Sequence, residues 1–123
     1  MNLDRMDAMI KSADDAYGAI RSLNDATITA TVPAPVAYAL LGSLSQLQDA
    51  VAQFAGQIAT GLDRSLLDFD VYDDARDPAE SVAMAAAALE EAKTYAAVVA
   101  ERVSTAQSAI AWQGFQLDKE GDR

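Results

Sequence analysis

Aspartate is the residue type with the clearest chemical potential in this chain, because five aspartates fall within ten residues: Asp68, Asp70, Asp73, Asp74 and Asp77. Clustered carboxylate oxygens are the ligands that Ca²⁺ and Mg²⁺ prefer. The EF-hand loop, however, needs a glycine in its middle and a glutamate at its end, and this stretch has neither. We therefore predict no metal site here, and expect Asp77 to cap a helix while the other aspartates keep a loop soluble.

Catalysis has few candidate residues, because the chain contains no histidine and no cysteine. Imidazole bases, thiolate nucleophiles and the commonest zinc ligands are thereby excluded. Glu90 and Glu91 are adjacent carboxylates, but they fall outside the apolar positions of their helix and lack the pocket that acid–base catalysis requires. A helical side-chain pair between Glu90 and Lys93, three residues later, explains the presence of Glu90 better than catalysis does. The sequence predicts no enzyme, no catalytic residue and no cofactor.

The motif Trp112-Gln113-Gly114 matches the Trp-x-Gly motif of secreted helical-hairpin substrates of type VII systems. In that family the motif lies in the turn between two helices, whereas here it follows the last predicted helix. The export signature, a tyrosine with an acidic residue four positions later, is also missing. We expect Gly114 simply to end the helix, and a type VII-like secreted hairpin remains a second alternative.

Composition favours one soluble, all-α domain. The 123 residues are 51% hydrophobic but only 7% aromatic, with much alanine, which suits closely spaced helices. The net charge of −10 opposes binding to nucleic acid or to an anionic membrane surface. Because the first residues lack a secretory signal pattern and no apolar run of about 18 residues occurs, we expect a cytoplasmic protein without a membrane span.

Hydrophobic periodicity predicts three helices within a single helical domain at 1–123. The fold class is therefore all-α, an elongated antiparallel three-helix bundle built on a long helical hairpin. Asn2 is the expected cap of the first helix, and Asp77 with Pro78 opens the third. The predicted bounds are about 3–23, 35–67 and 78–113, with an extended connector at 24–35 and a frayed tail at 118–123.

Apolar seams predict how the long helices pack. The third helix has a row of residues seven apart and a companion row three positions further on: Val82, Leu89, Ala96, Val103, Ile110, with Ala85, Ala92, Val99, Ala106. The second helix carries Ala37, Leu40, Leu44, Leu47, Val51, Phe54 and Ile58. Its interior glycines, Gly42, Gly56 and Gly61, predict close approach of a neighbour or a bend, with Gly61 as the weak point.

A second apolar surface is predicted on and after the third helix, from residues off its main seam: Tyr95, Val98, Trp112 and Phe115. Two apolar surfaces on one helix imply two neighbours. The second neighbour is either another helix of the same chain or a protein partner, since aromatic side chains are enriched at interfaces.

Several strings carry a family resemblance: Arg21–Thr27, Leu40–Ser45, Asp73-Asp74 with Asp77-Pro78, and the alanine-rich run through Ala106–Ala109. Together they resemble small helical proteins of actinobacteria that are often encoded on integrative or conjugative mobile elements. The resemblance covers most of Arg21–Gly114 and rests on caps and seams. It implies a helical fold and a mobile-element setting, and it implies no reaction chemistry.

The leading functional prediction is a non-catalytic helical interaction or scaffolding protein, with a homodimer as one form. The first alternative is an acidic inhibitor or antitoxin-like binder of a basic or nucleic-acid-binding partner, which the negative charge would favour. A small-molecule regulator with a pocket between helices also remains open. The expected partner is thus a protein or a second copy, without direct binding to nucleic acid or membrane.

Overall fold

The computed structural model describes residues 2–117, and over that range it contains α-helices and no strand. The helices are α1 (Leu3–Thr27), α2 (Ala34–Asp68) and α3 (Pro78–Ala109). The predicted all-α fold, with three helices and a long hairpin of the second and third, is confirmed. The chain divides into two compact units at Pro33 and Ala34, and a single domain stays a prediction. The predicted tail at 118–123 lies outside the described residues.

Helix α1 begins as predicted and ends four residues later than predicted. The Asn2 side chain accepts a hydrogen bond from the Arg5 backbone N–H at 3.1 Å, which makes it the N-cap. Asn24 and Asp25 were expected to leave the helix, but their helix propensities are only a few tenths of a kcal/mol below those of good helix formers. The helix ends at Thr27, whose hydroxyl donates to the Leu23 carbonyl at 2.8 Å. None of the residues of α1 is buried.

Helices α2 and α3 form an antiparallel hairpin joined by residues 69–77. Two hydrogen bonds fix their register. The Ser45 hydroxyl donates to the Ala100 carbonyl at 3.2 Å, and the Gln107 side-chain amide donates to the Tyr38 carbonyl at 3.0 Å. A side chain as short as serine reaches the backbone of the other helix only when the two helices pack closely.

The packing seam of the hairpin consists of small side chains. The buried residues of the described chain are six alanines and one valine: Ala34, Ala52, Ala55, Ala59, Val82, Ala96 and Ala100. The predicted row of α3 from Val82 to Ile110 is confirmed, since each of its five members is buried or half-buried. With alanines in contact, two helices approach to about 8 Å, the lower end of the usual interaxial range.

The companion rows of the seam were predicted correctly in part and one position away in part. Ala85 of α3 and the first four predicted residues of the α2 seam are half-buried, as expected. On α3, Ala92, Val99 and Ala106 are exposed, and Ala100 and Gln107 face α2 instead. On α2, the large residues Val51, Phe54 and Ile58 are exposed, and the alanines that follow each of them are buried. Close approach explains the shift, because larger side chains in the seam would hold the backbones apart and forfeit the dispersion contacts between them.

Helix α3 ends at Ala109, earlier than the predicted residue 113, and Gly114 is not its stop. Two tighter bonds close the helix, from Ile110 N–H to the Gln107 carbonyl and from Ala111 N–H to the Ser108 carbonyl, both at 3.3 Å. Gly114 does not adopt the left-handed conformation of a helix-ending glycine. The register set by Tyr38 and Gln107 explains the early end, because α3 terminates near the level at which α2 begins.

The glycines of α2 differ in their surroundings. A Cβ atom on Gly42 would lie 2.8 Å from the Gln107 amide nitrogen, and one on Gly56 would lie 3.7 Å from the Lys93 Cδ. Gly61 has no neighbouring atom within 4 Å, and α2 continues through it to Asp68. The expected weak point at Gly61 is therefore wrong, and the expected close approach holds at Gly42.

Gly42→Ala is expected to change the free energy of unfolding by little on its own, and to stabilise by about 1 kcal/mol when Gln107 is also alanine. In the native chain the helix-propensity gain is offset by loss of the Gln107 bond, worth about 1 kcal/mol. Denaturant unfolding of the four members of this cycle, at one protein concentration, measures the coupling. Equal effects of Gly42→Ala in both backgrounds would contradict the close contact.

Ala100→Leu is expected to destabilise the hairpin by about 1–3 kcal/mol, because a seam residue only 4% exposed has no room for three more carbons. Ala97→Leu is the matched control. Its position is exposed on the same helix, so its effect should stay within about 0.5 kcal/mol. Thermal and denaturant unfolding measure both variants, and similar losses in the two would argue against an alanine-dependent seam.

None of the described helices has the combination of length and apolar character needed to cross a bilayer.

Candidate interaction surface

The hairpin has two flanks, one on each side of its seam. Successive residues of an α-helix are about 100° apart, so residues just before and just after a buried position project to opposite sides. In an antiparallel pair, the residues preceding the seam positions of both helices fall on the same flank. The residues following them share the other flank. The seam positions therefore determine which residues lie on each flank.

The polar face is the flank formed by residues that follow the seam positions. It holds two open grooves between α2 and α3. One has a volume of about 470 Å³ and is lined mainly by hydroxyl groups and two carboxylates, Asp49 and Glu101. The other is lined by amides, Glu90 and two basic side chains, Arg64 and Lys93. Catalytic and small-molecule sites are enclosed and largely apolar, and neither groove provides such a setting.

The predicted pairing of Glu90 with Lys93 is wrong. Within residues 2–117 an ion pair joins Lys11 to Asp15 at 2.8 Å, and none joins Glu90 to Lys93. The aliphatic stem of Lys93 lies over Gly56 instead. Long basic side chains commonly cover neighbouring surface with their methylene groups while the ammonium group stays in water. Both Glu90 and Glu91 are exposed.

The acidic loop before α3 uses its carboxylates on its own backbone. Asp77 accepts a hydrogen bond from Ala79 N–H at 3.2 Å and caps α3, as predicted. Asp73 accepts bonds from Ala75 N–H at 2.9 Å and Arg76 N–H at 3.1 Å. Across the described residues no three acidic side chains converge closely enough to hold a metal ion.

The Ser81 hydroxyl, together with the N–H groups of Ala75 and Arg76, holds the pKa of Asp73 below its ordinary value of 3.8. The hydroxyl oxygen of Ser81 also lies 3.0 Å from the Pro78 carbonyl oxygen. Since a hydroxyl has a single hydrogen to donate, the two backbone N–H groups are the constant partners of the carboxylate.

Asp73→Ala is expected to lower the unfolding temperature at neutral pH and to have less effect in acid. A folded-state pKa below 3.8 means that the carboxylate stabilises the fold above pH 3.8, and that this stabilisation is lost as the pH falls through the lowered value. Circular dichroism melts from pH about 7 to about 2.5 measure the difference from the native chain. Asp74→Ala is the control, because Asp74 accepts no hydrogen bond within residues 2–117; a pH-independent loss for Asp73→Ala would contradict this role.

The apolar face is the opposite flank, formed by residues that precede the seam positions. Its members come from both helices: Leu40, Leu47, Val51, Phe54 and Ile58 of α2, and Ala88, Ala92, Tyr95 and Val99 of α3. The larger side chains remain substantially exposed, Phe54 by 54% and Tyr95 by 64%. The sequence prediction had assigned all five of these α2 residues to the seam itself.

The α2 half of the apolar face carries no charged residue, whereas the α3 half includes the exposed Arg102, which precedes the seam residue Val103 and lies seven residues after Tyr95. Between Ala34 and Leu62, α2 has a single charge, Asp49, and this residue lines a groove of the polar face. On α3, Lys93 and Glu101 also line those grooves. Helix faces that remain in water normally carry charged side chains, so the α2 half of this flank has the composition of a covered surface. The long stretch of α2 with a single charged residue was the signal in the sequence that could have identified this surface.

The four residues of the predicted interface do not form one surface. Tyr95 borders the apolar face, whereas Val98 lies on the side of α3 directed away from α2, given its angle from the seam. Trp112 and Phe115 come after the end of α3, about 25 Å along the chain direction from Tyr95. All four are exposed, Trp112 by 99%. Their role in binding a partner stays a prediction.

No family model matches the chain, and neither do the curated proteins or the solved structures with which it was compared. The resemblance to actinobacterial helical proteins therefore stays a prediction. The functional argument rests on the two faces of the hairpin.

Proposed function

We propose that this chain is a non-catalytic helical interaction protein that binds another polypeptide through the apolar face of the α2–α3 hairpin. The observation that carries the proposal is the combination of exposed large apolar side chains on one flank with the absence of any charge on the α2 half of that flank. Exposed apolar patches beyond a few hundred Å² mark interaction sites in soluble proteins. Phe54 and Tyr95 supply the kind of rigid aromatic area on which interfaces rely.

The distribution of charge supports the same proposal. The chain has a net charge of −10, and the one charged residue of α2 between Ala34 and Leu62, Asp49, lies on the polar face. A partner that contacts the α2 half of the apolar face therefore does not have to desolvate charged groups, which is the largest cost of burying polar surface. Charges elsewhere on the molecule keep it soluble and oppose nonspecific contact.

Phe54→Glu is expected to abolish binding through the apolar face while leaving the hairpin folded. Its side chain is already half in water, so the fold loses little, but a bound complex would have to bury an unpaired carboxylate. Gln53→Glu is the matched control, because it adds the same charge one residue earlier, in a groove of the polar face. We expect Phe54→Glu to weaken binding at least about 100-fold, which is on the order of the cost of a buried unpaired charge. We expect Gln53→Glu to weaken binding less than about 3-fold.

The measurement is retention of protein from an extract of the source cells by the immobilised chain and its variants. A polypeptide, whether this chain or another, should be retained by the native chain and by Gln53→Glu but not by Phe54→Glu. A third variant, Trp112→Ala, tests the separate surface beyond α3 and should not alter retention. Equal retention by all variants, or retention lost only with Trp112→Ala, would refute binding at the apolar face.

A further inference from the structure

Helix α1 carries an apolar stripe along one side, although none of its 25 residues is buried. Leu3, Ile10 and Tyr17, three large members of this stripe, are each exposed by more than 60%. A helix in a protein gains most of its stability from the packing of its apolar side rather than from helix propensity. The α1 stripe is therefore a surface that a partner would stabilise.

The α1 stripe has the spacing of a coiled coil, in which core residues alternate three and four positions apart. No core position holds a charge, and only the last two are polar: Leu3, Met6, Ile10, Ala13, Tyr17, Ile20, Asn24, Thr27. The two flanks of this core differ. One flank is apolar and consists of Met9, Ala16 and Leu23; the other is charged and consists of Asp7, Asp14 and Arg21.

This difference between the flanks favours one orientation of two paired α1 helices. In a parallel coiled coil the two unlike flanks face each other, which would set Met9 against Asp14 and Ala16 against Arg21 of the other helix. In an antiparallel pair each flank faces its own counterpart. The apolar flanks then cover each other, and the charged flanks meet at the opposite edge.

We propose that two copies of this chain associate through their α1 helices, packed antiparallel along their full length from Leu3 to Thr27. In this register Ile10 of one copy meets Ile20 of the other in the core. Tyr17, the largest core residue, meets Ala13 on both sides of the twofold axis, so that a large side chain packs against a small one, as close packing requires.

The apolar flanks fit in the same register, since Met9 meets Leu23 and the two Ala16 residues meet across the axis. A shift of one heptad toward the C-terminal halves would leave Leu3 and Met6 uncovered. The full-length overlap is therefore the register that covers the whole α1 stripe.

Charge complementarity supports this register. Asp7 of one copy lies beside Arg21 of the other, and twofold symmetry provides this contact twice. The two Asp14 residues meet once near the axis, so two attractive contacts oppose one repulsive contact. A shift of one heptad toward the N-terminal halves would instead bring Asp7 against Asp14.

The side chains that form these contacts are free to do so within residues 2–117. The ion pair of α1 joins Lys11 to Asp15, on the side away from the stripe, and neither Asp7 nor Arg21 takes part in it. The guanidinium carbon of Arg21 lies 5.8 Å from the centre of the Tyr17 ring. Arg21 is thus already held beside the stripe, where Asp7 of the second copy would arrive.

Sedimentation equilibrium of the full chain over a range of concentrations tests the pairing. The native chain should form dimers, and Ile10→Glu should dissociate at least about 100-fold more readily, because a carboxylate would enter the core. Ala8→Glu, which adds the same charge on the opposite side of α1, should weaken the dimer less than about 3-fold. If Ile10→Glu precipitates, Ile20→Glu with Ser22→Glu as its control replaces that pair. A native chain that is monomeric at every concentration, or a dimer indifferent to both core variants, overturns the proposal.

A charge-exchange cycle tests the antiparallel register. Asp7→Arg and Arg21→Asp should each weaken the dimer by about 5- to 10-fold, and the double variant should return to within about 3-fold of the native chain. Asp25→Arg, on the outer side of α1, controls for net charge: like Asp7→Arg it makes the acidic chain less negative, but it should not weaken the dimer. Single variants without effect, or a double variant as weak as either single one, would rule out this register.

This pairing and the proposed function concern different helices and fail separately. Phe54→Glu should leave the α1 dimer intact, so a dimer that Phe54→Glu dissociates and Ile10→Glu does not would place the contact elsewhere and refute the α1 pairing. With Ile10→Glu added to every immobilised chain, the extract experiment reports on the apolar face without copies bound through α1. Loss of either result leaves the other standing.

Discussion

Close approach of α2 and α3 is the constraint on which the rest of the hairpin depends. The seam is made of alanines because only small side chains allow the Ser45 hydroxyl to reach the Ala100 carbonyl and the Gln107 amide to reach across Gly42. A seam of this kind gains its stability from many short dispersion contacts rather than from the burial of large apolar groups. Since alanine has little apolar area to bury, the hairpin is only modestly stabilised by its own seam, and additional burial elsewhere would add substantially to its stability.

That constraint also creates the apolar face. When alanines occupy the positions between the helices, the large residues beside them are displaced to the flank, where Val51, Phe54 and Ile58 line up along α2. The same rotation places Asp49, Lys93 and Glu101 on the other flank. A single choice of packing residues thus separates a largely apolar flank from a polar one, and the functional proposal follows from the packing.

Local signals predicted the elements well and their pairing less well. Asn2, Asp77 and Pro78 identified the starts of α1 and α3, because capping depends on a few adjacent residues. The ends of the helices were less predictable. Helix α3 stops at Ala109 because α2 extends no further beside it, and this depends on how the two helices align rather than on the sequence of α3 alone. The later part of the α2 seam was misplaced by one residue because Val51, Phe54 and Ile58 have the same period as Ala52, Ala55 and Ala59, and hydrophobicity alone favours the larger set.

The candidate surface required the structure for the same reason. A periodic row of large apolar residues normally indicates the core, and only the observed burial of the adjacent alanines showed that this row remains outside it. Charge supplied information that periodicity did not, because the stretch from Ala34 to Leu62 with Asp49 as its one charged residue is too uncharged for a helix with a single packed side. Two rows of apolar residues, adjacent in sequence and at the same period, therefore indicate two contacts: the inner row of alanines sets the distance between α2 and α3, and the outer row requires a second surface to cover it.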